Sequence, residues 1–281
     1  MKKVAVVILN YKARENTLKC ADSVKKSDYE NLEIIVVDNN SGDGLAEEIK
    51  KVVGVIFIQN KDNLGYSGGN NVGIKKALED EAEYVFILNM DTVIDKKAIT
   101  QLVIAIEENQ AGVLGPKILF FDKKTIWYAG GTLDLNNVLG GHRGVDEEDH
   151  GQYEKIEETD NVTGGAMFVK SDIFVKIGLF DERYFLYYED SDFCFRAKRA
   201  GFKLMYVPTA VIYHENAKST GLGSPRQDYF ITRNRMLFAS KFLPFRTRFA
   251  LFRETLRNIA ISTKRLALID FLRGNWGKGS F

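Results

Sequence analysis

Four apolar runs, each ending in an amide or a carboxylate, set the tightest limit on how this 281-residue chain can fold. They occupy residues 4–9, 32–37, 55–58 and 84–88, with helix-period stretches between them over 14–26, 45–51 and 68–78 and a further one over 96–108. Uninterrupted Val/Ile/Leu runs mean strands covered on both faces, and their alternation with helices predicts a mostly parallel sheet with crossover helices. Such sheets hold their ligands outside the carboxyl ends of the strands. The first run is followed by Asn10 and Tyr11, and the second by Asp38, Asn39 and Ser41. Asn60 and Asn63 follow the third, and Asn89 and Asp91 the fourth. One such ending also fits a helix cap or an Asx turn. Four at the same edge describe a polar crevice.

That crevice suits a nucleotide. A buried carboxylate at Asp38 can accept hydrogen bonds from ribose hydroxyls or a base N–H. The glycine-rich run 65–73, with Gly65, Gly69 and Asn71, would let backbone N–H groups approach a ligand at a helix N-terminus. No GxGxxG follows the first strand and no GxxxxGK[ST] occurs, so dinucleotide and P-loop readings lose support. If the chain stays extended through 89–91, Asn89 and Asp91 face one way and Met90 the other. Two oxygen ligands on one face suit a hard divalent cation, Mg²⁺ or Mn²⁺, bridging a diphosphate. Asp91 could instead cap the helix over 96–108, but Asp95 is better placed for that.

Hydrophobic residues make up 45% of the chain, enough for a sizeable core. Charge is uneven: residues 226–281 carry 12 Lys/Arg against three Asp/Glu, so the body is acidic and the tail basic. Cys20 and Cys194 lack metal-type spacing, which points to a reducing compartment. The N-terminus reads as a strand rather than a signal peptide, and no 18-residue apolar run occurs, so a cytoplasmic location is expected. Glycines at 130–131, 140–141 and 144 break up residues 111–170, and the acidic stretch 146–158 is expected to be mobile. A helix is predicted over 189–199 and a strand over 203–207, followed by strand-like 210–213. From 226 to about 272 the pattern is helical, with a break at Pro244. Phe245, Phe249, Phe252, Leu256 and Ile259 recur at three- and four-residue spacing among Arg246, Arg248, Arg253 and Arg257. A basic amphipathic helix of this kind over 244–273 can meet an anionic membrane, or pack on the rest of the chain or on a second subunit.

The segments "VVILNYK", "IIVVDNNSGDG", "NKDNLGYSGGNNVGIKKAL", "FILNMDT", "VTGGAMFVKSDIFVKIGLFDERYFLYYEDSDFCFRAKRAGF" and "VIYHENAKST" span residues 4–220 in order. In these motifs the chain resembles family 2 glycosyltransferases with the GT-A fold, and among them the rhamnosyltransferase-like branch. The resemblance implies a catalytic domain over 1–225, with a nucleotide-binding half (1–110) and an acceptor-binding half (111–225), and a basic helical extension over 226–281. It implies an inverting, metal-dependent transfer of rhamnose from dTDP-rhamnose, or of a hexose from a UDP-sugar, to a saccharide or lipid-linked acceptor. No nucleic acid enters that picture. Asp38 takes the position that binds base or ribose. Asn89 and Asp91 take that of the metal-binding DxD, with Asn in place of the first Asp. Glu189 and Asp190 fall on the ED motif, Asp190 as general base, and His214 falls where a metal or diphosphate contact occurs.

The residues themselves leave alternatives open. Acids opening a helix at 189–192 also complement its dipole, but Tyr184, Phe185, Tyr187 and Tyr188 would partly desolvate a carboxylate there and raise its pKa. Asp192 is a rival to Asp190 or a cap, and His214 could be an ordinary loop histidine. Gly164 and Gly165 precede an apolar strand and would leave room for sugar and acceptor to meet. A nucleotidyltransferase and a non-catalytic sugar-nucleotide-binding subunit are the competing functions.

Overall fold

The computed structural model describes residues 1–215 and 223–281. The four apolar runs become β1 (Val4–Asn10), β2 (Leu32–Asp38), β3 (Val55–Gln59) and β4 (Tyr84–Asn89), paired in parallel in the order β4-β1-β2-β3. Both faces are covered, which is why the runs do not alternate with polar residues. Val4, Val6 and Ile8 pack toward α1 (Arg14–Lys25) and α4 (Ala98–Glu108). Ala5, Val7 and Leu9 pack toward α3 (Gly65–Glu79), with α5 (Ser171–Ile177) and α6 (Glu189–Arg199) on the same side. The short α2 (Leu45–Ile49) leads into β3.

The second half of the chain extends this sheet instead of building another. Beyond the short β5 (Thr92–Ile94), β6 (Val113–Phe120), β11 (Ala166–Lys170) and β12 (Leu204–His214) complete the order β12-β6-β11-β4. The small strands are β7 (Ile126–Tyr128) beside β6, the hairpin β8 (Gly131–Asp134) and β9 (Leu139–His142), and β10 (Glu157–Glu158) beside β12. β11 runs antiparallel to both neighbours, with Ala166 opposite Leu88. Its beginning, the Gly164-Gly165 end, therefore lies at the carboxyl edge. β12 runs parallel to β6, so His214 arrives at that edge too.

Several expectations need correction. The strands predicted over 203–207 and 210–213 are one strand, broken in register between Val207 and Val211, where Pro208 cannot donate to the ladder. The acidic stretch 146–158 is pinned. Buried Lys117 on β6 needs counter-charges and takes them from Asp149 (3.0 Å) and Glu154, and Arg143 pairs with Glu157 (2.6 Å). The tail holds three helices, α7 (Pro225–Phe242), α8 (Phe245–Arg257) and α9 (Ser262–Arg273), so a second break follows Asn258 besides the one at Pro244. α8 buries Leu251 and Thr255. The apolar stripe is split: Phe252 packs against the buried cluster, whereas Phe245 is 72% and Phe249 52% exposed. Among the described residues no helix is long and apolar enough to cross a membrane.

Candidate active site

β1 and β2 end in register, Asn10 beside Asp38, and their side chains close a complete network. Buried Asp38 accepts hydrogen bonds from Asn10 Nδ2 (2.6 Å), Ser41 N (3.0 Å), the Ser41 hydroxyl (2.5 Å) and Gln59 Nε2 (2.6 Å). Burial pushes this carboxyl up, but the bonds from Ser41, Asn10 and Gln59 outweigh it and hold it below the usual carboxylate range. Asn39 donates to Gly65 O (2.8 Å) and Asn63 Oδ1 (3.3 Å) and accepts from Asn60 (2.8 Å). This part of the crevice wall is satisfied by the protein itself. Tyr11, Asn39, Asn63 and Gly65 line the pocket beside it, whereas Asn10, Asp38 and Ser41 lie outside that lining.

The glycine run serves the fold more than a ligand. Gly65 has φ +73°, and a Cβ there would stand 2.5 Å from the Phe185 carbonyl oxygen. That carbonyl accepts from Tyr66 N (2.6 Å) and Ser67 N (3.3 Å), so the first N–H groups of α3 are occupied. A Cβ on Gly69 would meet Leu9 at 2.5 Å, which shows how closely α3 lies on the sheet. Asn71 brackets Phe180, donating to its carbonyl (2.9 Å) and accepting from its N–H (3.1 Å). Gly69 and Asn71, expected at the nucleotide, are thus packing and bracing residues.

The chain does not stay extended after β4. It turns at Met90-Asp91, with the Thr92 hydroxyl donating back to Asn89 O (2.7 Å). Strand alternation therefore does not apply, and Asn89, Met90 and Asp91 all line the pocket. The turn delivers Asp91 to His214, because β5 pairs antiparallel with β12 and sets Thr92 opposite His214. Asp91 Oδ1 and His214 Nε2 lie 3.2 Å apart, both residues are buried, and neither atom has a hydrogen-bond partner among the described residues. His214 is thus a buried strand-end residue, flanked by Trp127 with ring centroids 4.6 Å apart. Residues 216–220 of its motif lie outside the described residues.

Asp190, outside that lining, accepts at Oδ2 from Gly164 N (2.9 Å) and at Oδ1 from Ser191 N (2.7 Å). Burial raises its pKa, and these bonds only partly offset the rise. The neighbouring Gly165 carbonyl accepts from Asn89 N (3.0 Å), so two consecutive residues link Asp190 to the end of β4. Tyr66 donates its hydroxyl to Gly164 O (2.5 Å). Burial raises this phenol's pKa, and the carboxyls of Glu189, Asp190 and Asp91 raise it further. Glu189 has a buried Oε2 without a hydrogen-bond partner among the described residues. Burial first, then the charge on Asp190, pushes it well above the ordinary range. Asp192 is neither rival nor cap. Fully buried inside α6, it accepts from Tyr184 (3.0 Å), Arg196 (2.6 Å) and Lys241.

A cation can be tested against these atoms. Among the described residues no group of three His/Cys/Asp/Glu forms a metal cluster. Asp91 Oδ1 and the two His214 nitrogens are nevertheless buried and without a hydrogen bond among the described residues, Oδ1 and Nε2 facing each other at 3.2 Å, an arrangement that an ion would relieve. The donor set fits.

Residues 5–177 match the family described as Glycosyl transferase family 2. The chain belongs to this family. It is 28% identical over 236 residues to the low-salt glycan biosynthesis hexosyltransferase Agl10 of Haloferax volcanii, covering 83% of this chain and 74% of that one. It is 25% identical over 308 residues to the dTDP-rhamnosyl transferase RfbF of Shigella flexneri, covering 99% and 98%. An N-acetylglucosaminyl-diphospho-decaprenol L-rhamnosyltransferase of Mycobacterium tuberculosis is 28% identical, with 68% of each chain covered. Solved structures share the fold: GalNAc-T7 with UDP, GalNAc and Mn²⁺ (TM-score 0.65, 18% identity, 84% of this chain and 51% of that one). The mannosyltransferase PcManGT of Pyrobaculum calidifontis with GDP-Man and Mn²⁺ has a TM-score of 0.61 at 14% identity, covering 99% and 76%. This glycosyltransferase therefore has a fold of the GT-A type and is similar to hexosyl- and rhamnosyltransferases.

Sequence reasoning missed part of this family 2 pocket. Tyr66, Met90, Phe185, Leu186 and Arg226 also line it. Tyr66 stood inside the glycine run as a usable signal. Arg226, at the start of a basic tail 135 residues after Asp91, gave none.

Proposed function

We propose that the enzyme is inverting and uses a divalent cation to transfer a sugar from a nucleoside-diphosphate donor to a hydroxyl of a saccharide or lipid-linked acceptor. The observation that carries this is the buried Asp91–His214 pair, whose facing Oδ1 and Nε2 have no hydrogen-bond partner among the described residues, beside a pocket lined by Asn89 and Asp91, with Asp190 tied to the Asn89 backbone through Gly164 and Gly165. A carboxylate together with an imidazole favours Mn²⁺ over the strictly oxygen-seeking Mg²⁺. When bound, the cation would neutralise charge building on the departing diphosphate. Arg226 adds positive charge at the pocket mouth.

Asp190, ionised, takes the acceptor proton as that oxygen attacks the anomeric carbon from the face opposite the leaving group, so the configuration inverts. The Gly164 and Ser191 amides aim its carboxylate. Glu189 stays neutral and can donate a hydrogen bond from Oε2. The near full-length match to a dTDP-rhamnosyl transferase favours dTDP-rhamnose, and the hexosyltransferase relative keeps a UDP-hexose as the second donor. The exposed Phe245 and Phe249, set among Arg246, Arg248, Arg253 and Arg257, fit an anionic lipid surface better than a second subunit, because like-charged arginines on a two-fold interface would repel.

Thermal unfolding with dTDP-rhamnose, UDP-hexoses and GDP-mannose, each with and without Mn²⁺, tests the donor and the cation together. A true donor at a hundred times its Kd stabilises the fold by about 2.7 kcal/mol. The shift should require Mn²⁺ and vanish in Asp91→Asn. A shift indifferent to the cation, or none with any sugar nucleotide, refutes the proposal. For the lipid contact, Phe245→Glu/Phe249→Glu should release the full chain from anionic vesicles in flotation. Retention equal to wild type removes that contact.

A further inference from the structure

The loop that feeds α6 passes through Phe185, Tyr187 and Tyr188 in left-handed backbone geometry, with φ of 64°, 66° and 75°. Bulky L-residues avoid that region, so something outside the loop must hold it there. On α7 one amide reaches three of the loop's carbonyls. Asn234 Nδ2 donates to the carbonyls of Tyr184 (2.9 Å), Leu186 (2.8 Å) and Tyr187 (2.8 Å). Beside it, Arg233 Nη2 donates to the carbonyls of Arg183 (3.2 Å) and Tyr184 (3.1 Å). Arg233 Nε donates to Asn234 Oδ1 (3.1 Å) and so fixes which way the amide faces. Both side chains are fully buried, and no carboxylate lies within ion-pair distance of Arg233 among the described residues. Two buried donors spent on one loop's carbonyls go beyond what helix packing needs, since an apolar pair would cost less to bury. Lys241, two turns further along α7, ties the loop's ends by bonding Asp181 (2.7 Å) and Asp192.

The other side of this loop faces the site. Phe185 and Leu186 line the pocket, and the Phe185 carbonyl caps α3. The chain then runs directly into Glu189 and Asp190. We propose that Arg233 and Asn234 form a positioning pair that holds the strained 183–188 loop so that Asp190 meets the acceptor hydroxyl. α7 is thereby part of the catalytic apparatus and not an appendage. This rests on the role proposed above for Asp190.

Asn234→Ala and Asn234→Asp in the full chain test it, because Asp matches Asn in shape but loses the donors and turns an acceptor toward three carbonyls. Positioning predicts that kcat, read as release of dTDP or UDP, falls roughly 10- to 100-fold in Asn234→Ala and further in Asn234→Asp. The donor KM should move less than about threefold. Amide hydrogen exchange over 183–190, read without any donor, should quicken in Asn234→Ala while β1 and β4 stay protected. A space-filling role predicts the opposite ranking, with Asp near wild type and Ala worse. That ranking, or unchanged exchange in Asn234→Ala, overturns the proposal. Asp190→Asn run alongside keeps the two ideas apart: full turnover there would discard the base assignment, whereas the exchange result would still judge the clamp.

Discussion

The two ends of the carboxyl edge differ in one respect. Around Asp38 each lone pair has a protein donor. Around Asp91, His214 and Glu189 buried polar atoms have no hydrogen-bond partner among the described residues. Both regions are rich in Asn and Asp and look alike as sequence. A satisfied buried network stabilises the fold, and an unsatisfied one costs stability until a ligand supplies the missing bonds. On the proposed reading the first region is architecture that shapes a pocket, and the second is where the chemistry takes place.

The sharpest way to break this division is Asp190→Asn, which should lower turnover by about two to four orders of magnitude while leaving the sugar-nucleotide thermal shift intact. Loss of both together would mean that Asp190 builds the pocket rather than acting in it. Next in size, Asp38→Ala should lower Tm by roughly 5–10 °C, because Ser41, Asn10 and Gln59 lose their acceptor. Asp91→Ala should leave the ligand-free Tm nearly unchanged. Equal losses at the two aspartates would erase the distinction. The smallest effect concerns pH. Glu189 has a raised pKa in the folded protein, so its contribution is complete below the ordinary glutamate value and fades as pH rises through the folded one. Glu189→Gln should therefore raise Tm by about 2–4 °C at pH 8 and by less at pH 5. A gain independent of pH would show that Glu189 is not neutral when folded. By the same logic the acid limb of the activity profile belongs to Asp190 and should lie above the ordinary aspartate value of about 4.

The strands β1–β4 were legible because burial on both faces leaves unbroken apolar runs. The direction of β11 was not, since "AMFVK" pairs equally well either way and its orientation depends on neighbours far along the chain. α3 was read as starting after Gly68, although it starts at Gly65, because glycines in a first turn hide the helix. The site was half legible. Asn89, Asp91, Asp190 and His214 could be placed from strand ends and motifs. The turn at Met90 could not, because the chain reverses there without Gly or Pro. Asp192 looked like a cap because its decisive partner, Lys241, is 49 residues away. Arg233 and Asn234 lay unmarked in the helical, basic stretch after 226 for the same reason.

The antiparallel insertion of β11 has one more consequence. Residues 1–110 carry almost all of the donor-side amides and would look like a portable sugar-nucleotide cassette. Cut free, they would leave β4 with an open row of backbone donors and acceptors along Tyr84–Asn89, an apolar edge ready to recruit other chains. Excising that half should produce aggregates sooner than a miniature binder.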